Sequence, residues 1–157
     1  MSLDVEVARV IDATPEEVFD AFTHPEGQDE FYGQDDPGWI VQSQCDLRVG
    51  GVWTVDFGSS RRELYRHRHV FETIERPHRL AFTCTETRLD GTTLHIRIEV
   101  TFETRGEKTL MTMTQRGIPT AELRKEHERG VPNSLARLER TIVASRTPID
   151  ARRNPAP

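Results

Sequence analysis

The sequence predicts an α+β fold in which an antiparallel sheet is covered on one face by a long C-terminal helix. Three observations carry this. In "LHIRIEVTF", Leu94, Ile96, Ile98, Val100 and Phe102 fall on one side and His95, Arg97, Glu99 and Thr101 on the other, so this strand has a dry face and a wet face. Strand-like segments follow one another from Trp39 to Gln115, separated by turn residues. From Ala121 to about Ser145, Val131, Leu135, Leu138 and Ile142 recur at helical spacing among Glu and Arg residues, which makes an amphipathic helix able to cover the sheet.

The first element, Val5 to Ile11, alternates and reads as a strand. A helix follows: Thr14 is placed to cap it, Pro15 fits its first position, and Glu17 completes a capping box three residues after the cap. The turn-rich "THPEGQDEFYGQDDPG" holds a second short helix around Gln28 to Tyr32, ending at Gly33. Six strands come next: Trp39 to Cys45, Val52 to Phe57, Leu64 to Ile74, Leu80 to Glu86, Thr93 to Phe102 and Thr109 to Gln115. Gly50-Gly51, Gly58-Ser59-Ser60, Arg76-Pro77, Asp90-Gly91 and Gly106 break them. Because Gly50-Gly51 leads into a strand and lacks a following helix and Lys, it reads as a turn or bulge that re-aims Trp53, Val55 and Phe57, and not as a phosphate cradle. In the long helix, Pro132 next to Gly130 predicts a kink or a fresh helix start.

Length and charge bound the function. The chain of 157 residues fits one domain, expected over residues 1–146, with the Pro-rich segment 147–157 as a mobile tail. A net charge of -5, with 21 scattered Lys and Arg, argues against nucleic acid as the partner. Neither a signal peptide nor an 18-residue apolar run is visible, so no membrane insertion is expected and the cytoplasm is the expected location. Cys45 and Cys84 lack a metal or redox spacing and read as buried thiols.

Taken in order, "IDATPEEVFDAFTHPE", "DLRVGG" with Trp53 beyond it, "ERPHRLAFT", "KTLMTMTQRG" and "HERGV" followed by "SLARL" resemble the activator of heat-shock-protein ATPase homologue-like family of the START-like (SRPBCC) superfamily. The resemblance runs from Val5 to about Val143. It implies a helix-grip fold: two short helices after the first strand, a seven-stranded antiparallel sheet curved around the long helix, and between them a cavity that holds small hydrophobic ligands in many relatives. It also implies departures. Relatives often carry aromatics, commonly Trp, where this chain has Phe22, Phe31 and Val131, and Gly where it has His69. A small Val131 beside Gly130 is expected to widen the cavity, and His69 to bring a polar ring to it.

Alternation and family position together nominate Phe31, Tyr32, Trp39, Trp53, Phe57, Tyr65, His67, His69, Phe82, Ile98, Met111, Met113, Gln115, Val131 and Leu135 as ligand-binding residues. Roughly half of such aromatic and Met positions are expected to be packing alone. Tyr65, His67, His69 and Phe71 share one strand face, with neighbours about 7 Å apart, so the phenol and two imidazoles are candidates for acid–base catalysis should that face line the cavity. The His67-x-His69 pair has no third ligand of convincing spacing, since His95 should face outward and His127 sits on the helix; no metal and no cofactor are expected. The function expected is binding of a small hydrophobic or aromatic molecule. The alternatives are a cyclase or dehydratase using the cavity Tyr and His residues, and a co-chaperone-like, stress-related interaction with a heat-shock chaperone. The additional N-terminal domain of eukaryotic co-chaperones, absent from this sequence, counts against the latter. A homodimer through an exposed strand edge is left open.

Overall fold

The computed structural model describes residues 3–146, so the expected tail lies outside the described residues. The elements follow the predicted order: β1 (Leu3–Ile11), α1 (Pro15–Thr23), α2 (Pro25–Phe31), β2 (Ile40–Cys45), β3 (Val52–Ser60), β4 (Glu63–Glu75), β5 (Arg79–Thr87), β6 (Thr93–Arg105), β7 (Lys108–Ile118) and α3 (Ala121–Ser145). Strands β2 to β7 form a meander of consecutive antiparallel neighbours, and β1 closes onto β7, giving the order β1-β7-β6-β5-β4-β3-β2. Helix α3 lies over β1 and β7 and against α1 and α2. This is an α+β helix-grip fold, and it leaves the inner face of β3 to β6 to be covered partly by other means.

Burial follows the predicted faces. Leu94, Ile96, Ile98, Val100 and Phe102 are buried while His95 and Arg97 are exposed; on α3, Val131, Leu135, Leu138 and Ile142 form the buried stripe. Helix α1 starts as its capping box requires: the Glu17 amide donates to Thr14 Oγ1 at 3.3 Å and the Thr14 amide to Glu17 Oε1 at 3.2 Å. Pro15 has no N–H, so two of the three amides left open by this helix start are thereby satisfied. Its Phe19 and Phe22 then pack edge-on against Phe102 and Trp53 of the sheet, with ring centroids 5.3 and 5.5 Å apart.

The glycine pair is a strand entry. Gly50 holds a φ of +79°, where side chains are strained, and a Cβ on Gly51 would lie 2.1 Å from the Asp46 carbonyl oxygen. The Gly50 amide donates to the Phe71 carbonyl and the Phe71 amide to the Gly51 carbonyl, at 2.8 and 3.1 Å, stitching the turn to β4.

The structure corrects the expected elements in several places, and β6 and β7 run three residues past Phe102 and Gln115, to Arg105 and Ile118. Helix α2 begins three residues early, at Pro25, because His24 Nδ1 accepts the Glu26 amide at 3.2 Å and acts as cap. Strand β3 does not end at Phe57: it runs through Gly58 to Ser60 with a register shift, and Gly58 is required there because a Cβ would lie 1.9 Å from the Glu63 carbonyl oxygen. Helix α3 does not restart at Pro132 but runs unbroken to Ser145. Pro132 and Glu128, whose carbonyl loses its helical donor, both lie on the exposed side, where that carbonyl is open to solvent, and Asn133 Nδ2 donates to the Arg129 carbonyl at 3.3 Å.

Candidate functional site

Strand register assembles the site. Across β3, β4 and β5 the inward residues form two transverse rows: Trp53, His69 and Cys84 in one, Val55, His67 and Glu86 in the next. Phe57 pairs with Tyr65 beyond them, their rings stacked with centroids 5.4 Å apart. Arg66 and Arg68 face outward, Arg66 bridging to Asp56 at 2.8 Å, so β4 presents its aromatic and imidazole side chains inward. Tyr32, at the C-terminal cap of α2, comes down on this rank from above.

A single run of hydrogen bonds links these groups. His67 Nε2 meets Glu86 Oε1 at 2.7 Å and His67 Nδ1 meets Tyr32 Oη at 3.3 Å; Tyr32 Oη meets His69 Nε2 at 3.5 Å, and His69 Nδ1 meets the Trp53 carbonyl at 3.1 Å. One proton assignment satisfies all four contacts: His67 is protonated on both nitrogens, Tyr32 donates to His69, and neutral His69 donates from Nδ1 to Trp53. The electrostatics agree. Burial alone would lower the His67 pKa, but the Cys84 sulfur and the Glu86 carboxylate outweigh it and the imidazole is pushed up to about 10. Burial works to raise Glu86, while the bond to His67, the charges of His67 and His127 and a bond from Arg88 hold it down at about 2. His69 is held well below its ordinary value by burial and by the His67 charge, and burial raises Tyr32.

Between this rank, α2 and α3 lies a cavity of about 360 Å³. Of the residues nominated from sequence, Phe31, Tyr32, Trp39, Phe57, Tyr65, His67, Phe82, Ile98, Met113, Gln115 and Val131 line it. Trp53, His69, Met111 and Leu135 do not: they share the inward face but are buried behind the lining, Trp53 beneath Phe22. Alternation identifies the face of a strand and says nothing of depth. Gly130 joins Val131 in the lining, and beyond its own helix backbone and chain neighbours no atom lies within 4 Å of where a Gly130 Cβ would be.

Sequence reasoning missed the polar mouth. Arg88 bridges Glu86 at 2.8 Å and Glu126 of α3 at 3.0 Å, joining the sheet to the helix over the opening. His127 is more than a helix surface residue: its Nδ1 meets Gln115 Oε1 at 2.7 Å, so both residues present their remaining polar atoms beside the cavity. Arg137 donates to the Glu30 and Phe31 carbonyls at 3.1 and 3.2 Å, pinning the C-terminal end of α2. Sequence spacing shows no third donor beside His67 and His69, but strand register supplies one. Cys84, cross-strand from His69, places its sulfur so that one ring nitrogen of each histidine and the sulfur all lie within 4.8 Å of one another.

A curved antiparallel sheet, a long helix across it and a cavity between them define a START-like protein. Residues 12–142 match the family model described as activator of Hsp90 ATPase homolog 1-like protein, and the chain belongs to that family. No curated protein matches the chain. Similar solved structures include protein CV1439 from Chromobacterium violaceum, with 20% identity, TM-score 0.78 and coverage of 88% of this chain and 96% of that one. A protein from Rhizobium leguminosarum is 16% identical with TM-score 0.79, covering 92% and 96%. DynU16, from the dynemicin biosynthetic locus, is 19% identical with TM-score 0.72, covering 90% of this chain and 48% of that one. At these identities the likeness is one of fold. Among the described residues no helix is long and apolar enough to cross a membrane.

Proposed function

We propose that the protein binds a small hydrophobic or aromatic molecule in the cavity between the sheet and α3. The observation that carries this is the composition of the lining. Phe31, Phe57, Phe82, Ile98, Met113 and Val131 give an apolar body to a space of about 360 Å³, which lies near the lower end of small-molecule sites. Tyr32, His67, Glu86, Gln115 and His127 supply a few convergent polar groups on one side. Such a site suits an aromatic or aliphatic body with one hydroxyl or carbonyl at its end. The polar groups are then satisfied by the ligand head, and the ligand body takes the place of water against the apolar wall.

The test is native mass spectrometry of the purified protein against its denatured mass, followed by calorimetric titration of hydroxyl- and carbonyl-bearing aromatic probes. Val131→Trp should fill the cavity and abolish probe binding in a folded protein. Binding that survives Val131→Trp unchanged would remove the cavity as the site. A heat-shock chaperone captured by the protein, or turnover of a bound molecule, would instead favour the interaction or cyclase and dehydratase readings.

A further inference from the structure

We infer that His67, His69 and Cys84 form a binding site for one zinc-like divalent ion at the floor of the cavity. The inference stands apart from the hydrophobic ligand, since it rests on side chains behind the apolar lining as well as on it. His67 and His69 are two residues apart on β4, and Cys84 is the cross-strand partner of His69, so the register alone brings three donors to one inner face. Cys84 and His69 are fully buried and His67 nearly so.

The ring orientations are already those of ligands. Metal-bound histidines hand their second nitrogen to a carboxylate or a backbone carbonyl, which fixes the ring. Here Glu86 holds His67 Nε2 at 2.7 Å and the Trp53 carbonyl holds His69 Nδ1 at 3.1 Å. The two nitrogens left, His67 Nδ1 and His69 Nε2, converge on Tyr32 Oη at 3.3 and 3.5 Å. One ring nitrogen of each histidine and the Cys84 sulfur lie within 4.8 Å of one another. Bonds of about 2.0–2.3 Å to a tetrahedral ion need those atoms to close by about 1 Å, a change within reach of side-chain torsions. Two nitrogens and a sulfur select zinc over magnesium or calcium, which take oxygen ligands. The fourth position falls to Tyr32 Oη, 3.3 and 3.5 Å from the two ring nitrogens. Binding requires the thiolate of Cys84 and neutral imidazoles, so protons leave as the ion enters.

The test uses Co²⁺ as the spectroscopic stand-in for zinc, added to chelator-treated full-length protein. One Co²⁺ per chain should bind with a near-ultraviolet thiolate-to-cobalt band that Zn²⁺ bleaches. Cys84→Ser should abolish the band, Cys45→Ser should leave it intact, and Glu86→Gln should weaken affinity by about 10- to 100-fold. Circular dichroism reports whether each variant is folded. No band in the wild-type protein overturns the inference, whatever the variants do. So does a band that persists in Cys84→Ser or disappears in folded Cys45→Ser.

Discussion

His67 and Glu86 oppose each other across the β4–β5 pair, with Nε2 and Oε1 2.7 Å apart and side chains only 13% and 7% exposed. A buried pair of this kind is costly to break from the Glu86 side, because removing the carboxylate leaves the His67 charge buried without its counter-ion, whereas Glu86 keeps Arg88. In this molecule the pair also fixes which way the His67 ring faces, and through Tyr32 it sets the tautomer of His69.

Glu86→Gln should therefore destabilise the metal-free protein by about 3 kcal/mol, measured by urea unfolding in the presence of a chelator. Adding His67→Asn should cost much less than the sum of the two single changes, since the stranded charge is gone. Strict additivity would show that the pair contributes through packing alone.

The middle of α3 carries two residues that disfavour helix, both at or next to the cavity lining. Gly130→Ala has free space for its methyl and should stabilise by about 1 kcal/mol. Pro132→Ala, on the exposed side, restores an amide donor to the Glu128 carbonyl and should stabilise by about 1–3 kcal/mol. Thermal melts of both variants check this; a lower melting temperature in either would mean that the native helix path depends on the residue it replaces.

Arg137→Met keeps the aliphatic stem but removes the guanidinium that holds the Glu30 and Phe31 carbonyls. Loss of charged hydrogen bonds to the end of α2 should cost about 1.5 kcal/mol. It should also raise amide hydrogen exchange in residues 28–32 above that of the sheet. Uniform exchange across the protein would refute a local role for Arg137.

Arg76 makes two hydrogen bonds to the Asp20 carboxylate, at 2.9 and 2.7 Å, fastening the β4–β5 turn to α1. This guanidinium holds the Asp20 pKa below its ordinary 3.8 despite some burial. The stabilising contribution of a depressed carboxylate is present above its unfolded pKa and fades as pH falls through the folded one. In a carboxyl NMR titration Arg76→Ala should shift the Asp20 midpoint upward toward 3.8; an unmoved midpoint would assign the depression to something else.

Much of this molecule was legible in its sequence because the relevant signals are local. Thr14, Pro15 and Glu17 specify the start of α1 within four residues, the alternation of Leu94 to Phe102 assigns the inner face of β6, and Val131 to Ile142 mark the buried stripe of α3. Of the polar half, Tyr32, Tyr65, His67 and Gln115 were legible and their partners were not. Glu86 and Cys84 meet His67 and His69 only through strand register, and His127 meets Gln115 only because α3 folds back over β7. Nothing in the neighbourhood of a glutamate or a cysteine announces a partner fifteen to nineteen residues away. Trp53, Met111 and Leu135 illustrate the converse: their face was right, but other side chains stand between them and the cavity.

The order of the strands also bears on how the chain assembles. Strands β2 to β7 each pair with a neighbour in sequence, whereas β1 must wait for β7, about a hundred residues downstream. Closing that loop is the least local step of the sheet. On a ribosome adding about 5–20 residues per second, Val5 and Ile11 remain without their native partners for roughly 5–20 seconds. The first strand made is thus the last to be paired, and the protein's exposure to misassociation during synthesis is concentrated in its opening residues.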